Sequence, residues 1–269
     1  MRVVDLDHDM SDVIPTGASL DSELLFRRME QATFDALGLA RGQCVLDSAA
    51  GIGQDDRALA HEGFWTVGAE PSQRMTALAC LADAREPPPA PGAVRRVRAW
   101  SEGLPFRAGS FDAVFCKGAL DHFDDPLACL TEMARVARPE GCVVLAVANF
   151  ASLGCRLARL RSRLVGAGPP LGRRHFDVPS DHFTRYDAEL LREQTGRQLH
   201  IARWQGVSLF WGLRSWTRLL SALPEPWARR LFALADALAR RLPALADVIV
   251  VAGRPRSDGG ADSPRPSAG

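Results

Sequence analysis

Between Val45 and Gly53 the chain reads VLDSAAGIG, a short apolar run containing one carboxylate, Asp47, that enters a glycine-bearing turn. Glycines at such a turn let a ligand press against the backbone, and the first N–H groups of a following helix face whatever lies there. The pattern is not G-x-G-x-x-G, and the acid precedes the glycines, which disfavours a dinucleotide fold. About 20 residues on, Glu70 ends the next apolar run, FWTVGAE, at the place where a carboxylate accepts both hydroxyls of a ribose. Two further groups could move a proton. In LDH at 120–122, Asp121 could orient His122 as a general base; capping the next helix or lining a pocket is an equal use of that histidine. His182 and Tyr186, the only tyrosine, stand in DHFTRY at 181–186, a segment able to close over a substrate, although packing down a loop is the commoner use of a tyrosine. Lys117 is the only lysine in the chain.

These residues need a scaffold, and the hydrophobic periodicity supplies one. Leu24, Leu25, Met29, Ala32, Phe34 and Leu37 recur at helical spacing after the capping acids Asp21 and Glu23, and Gly38 is a stop. Strand-like runs follow at QCVLDSA, FWTVGAE, VRRVRAW, FDAVFCK, GCVVLAVAN, LHIARWQGVSLF and ADVIVVAGR. Helices are expected over about 54–62, 72–83 and 126–138, with the Pro-rich EPPPAPG as a loop. Strands alternating with helices in this way predict an α/β fold: a doubly wound, mainly parallel sheet of seven strands. Leu153, Leu157, Leu160 and Leu164 form a further helical stripe. Two amphipathic helices carry the stripes Leu213, Trp216, Leu220, Leu223 and Trp227, Leu231, Leu234, Leu238.

Taken together, VLDSAAGIG, GAEPSQRM, LPFRAGSFDAVF, LDHFDDP and EMARVARPEGCVVLAV run in order across residues 43–149, and there the chain resembles the class I S-adenosylmethionine (SAM) dependent methyltransferases. The resemblance is to the small-molecule branch that includes the ubiquinone and menaquinone biosynthesis enzymes. It implies a Rossmann-like methyltransferase fold with SAM as cofactor. Asp47 and the backbone of Ala49, Gly51 and Gly53 would hold the methionine end. Glu70 would bind the ribose, with Pro71 and Met75 beside the adenine. Ser101 and Glu102 would lie at the adenine edge, and Lys117 where the fourth strand opens on the methyl group. Two positions depart from the family. Ala49 replaces the first glycine of the turn, a mild change if its φ is negative. Trp100 replaces the aspartate that reads the adenine amino group, which leaves an aromatic face to stack on the base and Glu102 as a substitute acceptor.

Ligands of an open parallel sheet bind beyond the carboxyl ends of its strands. Residues 151–185 and 207–243 follow strands five and six, so they are expected to form a helical lid and acceptor pocket over a core at 20–150. Residues 1–256 then make a single domain, and the Gly/Ser/Pro-rich 257–269 a disordered tail. Trp204, Trp211, Trp216 and Trp227 in this part suit a bulky, largely apolar small-molecule acceptor. Residues 151–256 carry 18 arginines against 8 acids, so these Arg/Leu/Trp-rich helices could also touch a membrane surface peripherally. A SAM-binding protein that does not methylate is the alternative that Trp100 motivates. Nucleic acid is not expected as a partner, because KGALDH stands where base methyltransferases carry an Asn/Asp-Pro-Pro-Tyr sequence. None of the six cysteines forms C-x-x-C, and no spacing matches a metal site; with no apolar leader at the start, a cytoplasmic location follows.

Overall fold

Strict alternation of buried side chains along the central strands builds two cores. Val45, Ala113, Phe115, Val144, Ala146, Val248 and Val250 point to one face of a sheet, and Leu46, Val114, Cys116, Val143, Leu145, Ile249 and Val251 to the other. A computed structural model describes residues 19–90, 92–164 and 184–256. Among these residues, the strands are β1 (Cys44–Ser48), β2 (Trp65–Ala69), β3 (Val94–Val97), β4 (Phe111–Lys117), β5 (Ala137–Ala148), β6 (Leu199–Val207) and β7 (Val248–Pro255). They form one seven-stranded sheet in the order β3-β2-β1-β4-β5-β7-β6. All neighbouring pairs are parallel except those of β7, which runs antiparallel to both β5 and β6. The expected α/β, mainly parallel architecture is present.

The helices begin and end where local chemistry says they should. Helix α1 (Leu20–Leu37) stops at Gly38 in the left-handed region. Helix α2 (Gln54–Glu62) starts directly at the glycine turn after β1. In α3 (Gln73–Arg85) the Ser72 hydroxyl accepts the Met75 N–H, and in α4 (Pro126–Val136) the Asp125 carboxylate accepts the Ala128 N–H behind a proline at the first position. Helices α5 (Leu153–Leu164), α6 (Ala188–Gln198), α7 (Arg214–Ala222) and α8 (Glu225–Arg241) complete the set. Strand β5 starts earlier than its apolar run suggests, at Ala137, because Ala137 already pairs with Phe111 across an irregularity in the β4 register.

Helices α1, α7 and α8 cover one face: Leu24, Leu25, Met29 and Ala32 pack with Trp216, Leu220, Ala228 and Phe232. Helix α1 is also tied to this late part of the chain by polar bonds. Arg28 Nε meets Asp236 Oδ2 at 2.8 Å, Trp211 Nε1 donates to Ser22 Oγ at 3.0 Å, and Thr217 Oγ1 donates to Asp21 Oδ2 at 2.9 Å. The second segment expected as lid, 207–243, is therefore mainly a layer against the sheet. Only its loops reach the carboxyl edge.

The apolar stripe of α8 is also placed differently from expectation. Trp227, Leu234 and Leu238 face outward, while the helix buries Ala228, Phe232, Asp236 and Ala239. Small residues on the buried side let the helix approach the sheet closely. At Gly206 of β6 a Cβ would collide with the Ala239 carbonyl, so larger side chains could not occupy that face.

Candidate active site

The strand order reverses between β1 and β4, and in an open parallel sheet ligands bind beyond the carboxyl ends at such a point. Asp47 and Ser48 end β1, and Lys117 ends β4. The turn between β1 and α2 is left-handed at three alternate residues: Ala49 (φ 68), Gly51 (φ 54) and Gly53 (φ 65). Ala49 thus does not have the negative φ that would make it a mild replacement for glycine. It carries roughly 1–2 kcal/mol of strain, and its N–H donates to the Ala69 carbonyl at 2.9 Å, which pins the turn against β2.

Glu70 reaches back from the end of β2. Its Oε2 accepts the Gly51 N–H and its Oε1 the Ser72 N–H, each at 2.9 Å. Each carboxylate oxygen keeps a second lone pair for a ligand hydroxyl. Met75 is buried, and its methyl lies 3.8 Å from where a Cβ on Gly51 would stand. Gly51, Glu70, Pro71 and Met75 therefore share one wall. On the neighbouring loop, Ser101 Oγ lies 2.8 Å from Ser48 Oγ, so the segment after β3 is fastened to the end of β1. Trp100 and Glu102 flank that serine, both half-buried. The charge of Glu102 bears on Cys129 at the start of α4, which, after burial itself, is the largest influence raising that thiol.

Acids dominate the floor. Asp47 is buried, and desolvation followed by the charges of Asp56 and Asp55 pushes its carboxyl well above the usual range. Burial also raises Glu70. Lys117 Nζ meets Asp55 Oδ1 at 2.7 Å, with both side chains nearly buried. Lys117 therefore closes an ion pair with the first turn of α2 as well as standing where β4 opens. Desolvation lifts Asp56 to about 7 in spite of its partner Arg96. A concentration of carboxylates of this kind suits a ligand that brings positive charge.

The Arg96 network was not anticipated. Arg96, in β3, sends Nη1 to Asp56 Oδ2 at 2.6 Å and clamps Asp83 with Nε and Nη2 at 2.8 and 2.9 Å. Its guanidinium lies where a Cβ on Gly53 would fall. Gly53 is thus required twice, for its φ and for its missing side chain. Paired acids at 55–56, immediately after the glycines, were the available signal that a buried cation must lie opposite.

Of the proposed proton-moving groups, Asp121, His122 and Tyr186 lie among the described residues, where the Thr184 N–H donates to the Asp121 carbonyl at 3.1 Å. A single 3₁₀ turn, Leu120–His122, follows β4 and leaves His122 half-buried and Asp121 buried. Burial raises both the Cys116 thiol and the Tyr186 hydroxyl, and the Asp121 charge adds to each. Tyr186 is buried and donates to Gln194 Oε1 at 2.7 Å, which makes it an anchor for the loop. His182 and the segment 165–183 of the first expected lid lie outside the described residues, as does the tail 257–269.

At the β5–β7 side of the same edge, Asp247 accepts the Trp211 N–H at 3.0 Å, and burial raises its carboxyl to about 7. Beside it, Ser208 and Phe210 adopt positive φ (61 and 70). Strained non-glycine backbone of this sort persists only where its surroundings hold it.

The family model described as "Methyltransferase domain" matches residues 46–145. A demethylmenaquinone methyltransferase of Mycolicibacterium paratuberculosis is 34% identical over 201 residues, covering 73% of this chain and 81% of that protein. Among solved structures, the PH0226 protein of Pyrococcus horikoshii OT3 superposes with a TM-score of 0.59 at 16% identity, over 91% of this chain and 97% of that one. The geranyl diphosphate C-methyltransferase of Streptomyces coelicolor A3(2), in complex with S-adenosyl-L-homocysteine, gives 0.55 at 16% identity, over 85% and 77%.

Proposed function

The chain belongs to the class I SAM-dependent methyltransferases, with SAM as cofactor and a small molecule as acceptor, and from that premise we propose that it methylates a bulky, largely apolar phenol or quinol. The observation that carries the acceptor class is the likeness to demethylmenaquinone methyltransferase over 81% of that protein's length. SAM supplies an electrophilic methyl group on a sulfonium.

Asp47 and the backbone of Ala49, Gly51 and Gly53 bind its amino-acid end, where the excess of carboxylates complements the cationic charge. Glu70 takes the ribose hydroxyls with the lone pairs left over from Gly51 and Ser72. Pro71, Met75, Trp100, Ser101 and Glu102 frame the adenine, with the Ser48–Ser101 bond fixing the distance between the two walls. Lys117 stays with Asp55 and holds the end of β4. Methyl transfer is an in-line displacement, so the protein's main work is to align the acceptor and exclude water. His122 accepts the acceptor's proton, with Asp121 as a positioning residue; His182 is the second candidate base.

Residues 20–150 form the cofactor half of a single domain spanning 1–256. The segment 151–185 and the edge loops near Trp211 and Asp247 form the acceptor side. Among the described residues no helix is long and apolar enough to cross a membrane; a cytoplasmic location fits six cysteines without a disulfide.

The test is incubation of the purified protein with SAM and a series of reduced, unmethylated naphthoquinols, read by mass spectrometry for addition of one methyl group. Product with a quinol, and its loss in His122→Ala with SAM affinity unchanged, is expected. Binding of SAM without methylation of any quinol overturns the acceptor class, and absence of SAM binding overturns the cofactor site.

A further inference from the structure

Helix α5 leaves the carboxyl edge of the sheet with one side buried, through Gly154, Cys155 and Ala158. Its base packs against the acceptor side of the site: a Cβ on Gly154 would touch the Trp211 carbonyl, the Phe210 backbone and Asp247. Farther along, Leu157, Leu160 and Leu164 are exposed, at 41, 52 and 78% of full accessibility. At about 100° per residue these three leucines fall within a ~60° arc, so the exposed apolar surface is one stripe. Arg161 flanks it on one side, and Arg156 and Arg163 on the other. The helix LGCRLARLRSRL contains no acid. Helix α8 also shows outward Trp227, Leu234 and Leu238, but there Arg229 and Arg240 are matched by Glu225 and Asp236 on the same helix. Among the described residues, α5 sets its exposed apolar stripe among arginines with no acid of its own, whereas α8 carries two acids beside its four arginines.

That combination selects its partner. A nucleic acid would satisfy the arginines and leave three leucines against a phosphate backbone. A second apolar protein surface would bury the leucines and strand the arginines at its rim. An anionic bilayer takes both at once, with leucine side chains entering the acyl boundary and guanidinium groups among the headgroup phosphates. We infer that α5 is a docking surface for an anionic lipid bilayer, which sets the acceptor side of the site against the membrane surface. The inference deepens the reading of an apolar acceptor, since such a molecule dissolved in lipid would enter at the base of the helix that binds the lipid.

The test is co-sedimentation of the full chain with vesicles of phosphatidylcholine alone or mixed equally with phosphatidylglycerol. The wild type is compared with Leu157→Ser/Leu160→Ser/Leu164→Ser and with Arg156→Gln/Arg161→Gln/Arg163→Gln. Binding to the mixed vesicles, weakened about tenfold or more by either triple variant, is the expected result. Salt should weaken the wild type on mixed vesicles, and the arginine variant should lose the preference for phosphatidylglycerol. The proposal is overturned if the wild type does not sediment with mixed vesicles. It is also overturned if the leucine variant binds as well as the wild type, or if gel filtration shows a dimer that this variant dissociates, which would make a second copy the occupant. SAM titration of the leucine variant and vesicle binding of the wild type without any acceptor separate the two readings: cofactor affinity stays at the wild-type level if only the membrane surface is lost, and vesicle binding persists if only the acceptor class is wrong.

Discussion

Replacing Gly53 with alanine tests the site more sharply than replacing Gly51, although both residues sit in the same turn with nearly the same φ. At Gly51 the new methyl group meets nothing closer than 3.8 Å, so Gly51→Ala should cost only the left-handed backbone, roughly 1–2 kcal/mol. Ala49 already tolerates that conformation in this chain. At Gly53 the methyl group falls inside the guanidinium of Arg96. The arginine is the far end of a flexible side chain, but it is not free to move, because it holds fully buried Asp56 and clamps Asp83. Expelling it leaves a buried carboxylate without its cation, a loss of about 3–5 kcal/mol added to the backbone term. Because the Asp56 carboxyl already lies near 7, taking up a proton caps the cost toward the lower end. Urea unfolding followed by circular dichroism measures both variants, alone and in an Arg96→Ala background. In that background Gly53→Ala should fall to the roughly 1–2 kcal/mol of its backbone term, a coupling of about 3 kcal/mol. If Gly51→Ala and Gly53→Ala cost the same within about 0.5 kcal/mol, or if Gly53→Ala costs as much without Arg96 as with it, the network does not hold the turn.

Three further outcomes follow from the buried acids and from Trp100. Asp47 is raised well above its ordinary range, so binding of a cationic amino-acid group should release a proton and affinity for SAM should rise with pH; calorimetry in buffers of different ionisation enthalpy reads the release, which Asp47→Asn should abolish. Asp247 lies near 7 when folded against about 3.9 unfolded, so the folded state binds the extra proton and stability is lost as pH climbs between these values. Asp247→Asn should therefore gain on the wild type as pH rises from about 4 to about 7, at up to about 1.4 kcal/mol per pH unit, and level off above that; an unchanged difference in denaturant midpoints would refute this. Trp100→Ala should weaken SAM binding while Trp100→Asp largely preserves it; equal affinities in wild type and both variants would show that the side chain points away from the base.

The cofactor half was legible because its signals are local. The continuous apolar run VVLAV, a glycine turn after a strand, and Gly38 after a helical stripe each depend on neighbours within a few positions. What escaped the sequence depends on partners far away. Arg96 reads as a polar residue in a short strand until Asp56, 40 positions earlier, is placed beside it. The sign of φ at Ala49 is set by its bond to Ala69, not by the residue's own preference. In α8 the largest apolar side chains suggest the buried face, yet close approach to β6 demands the small ones. That choice depends on the sheet, which the helix's own sequence does not describe. The acceptor side is legible only as composition, since its loops follow strands but are shaped by Asp247 and by backbone strain at Ser208 and Phe210.

The bonds from α1 to Trp211, Thr217 and Asp236 have a consequence for how the chain is made. The first described helix leaves the ribosome early, yet Arg28 waits for an acid 208 positions later. At about 5–20 residues per second, that is a delay on the order of 10–40 s during synthesis. Throughout it, Leu24, Leu25, Met29 and Ala32 have none of their α7 and α8 neighbours, and a nascent chain stalled before Trp216 should present that apolar stripe to chaperones. Release of the helix from such contacts would then mark the arrival of α7 and α8, so that the first described helix is secured only after most of the described sheet has been made.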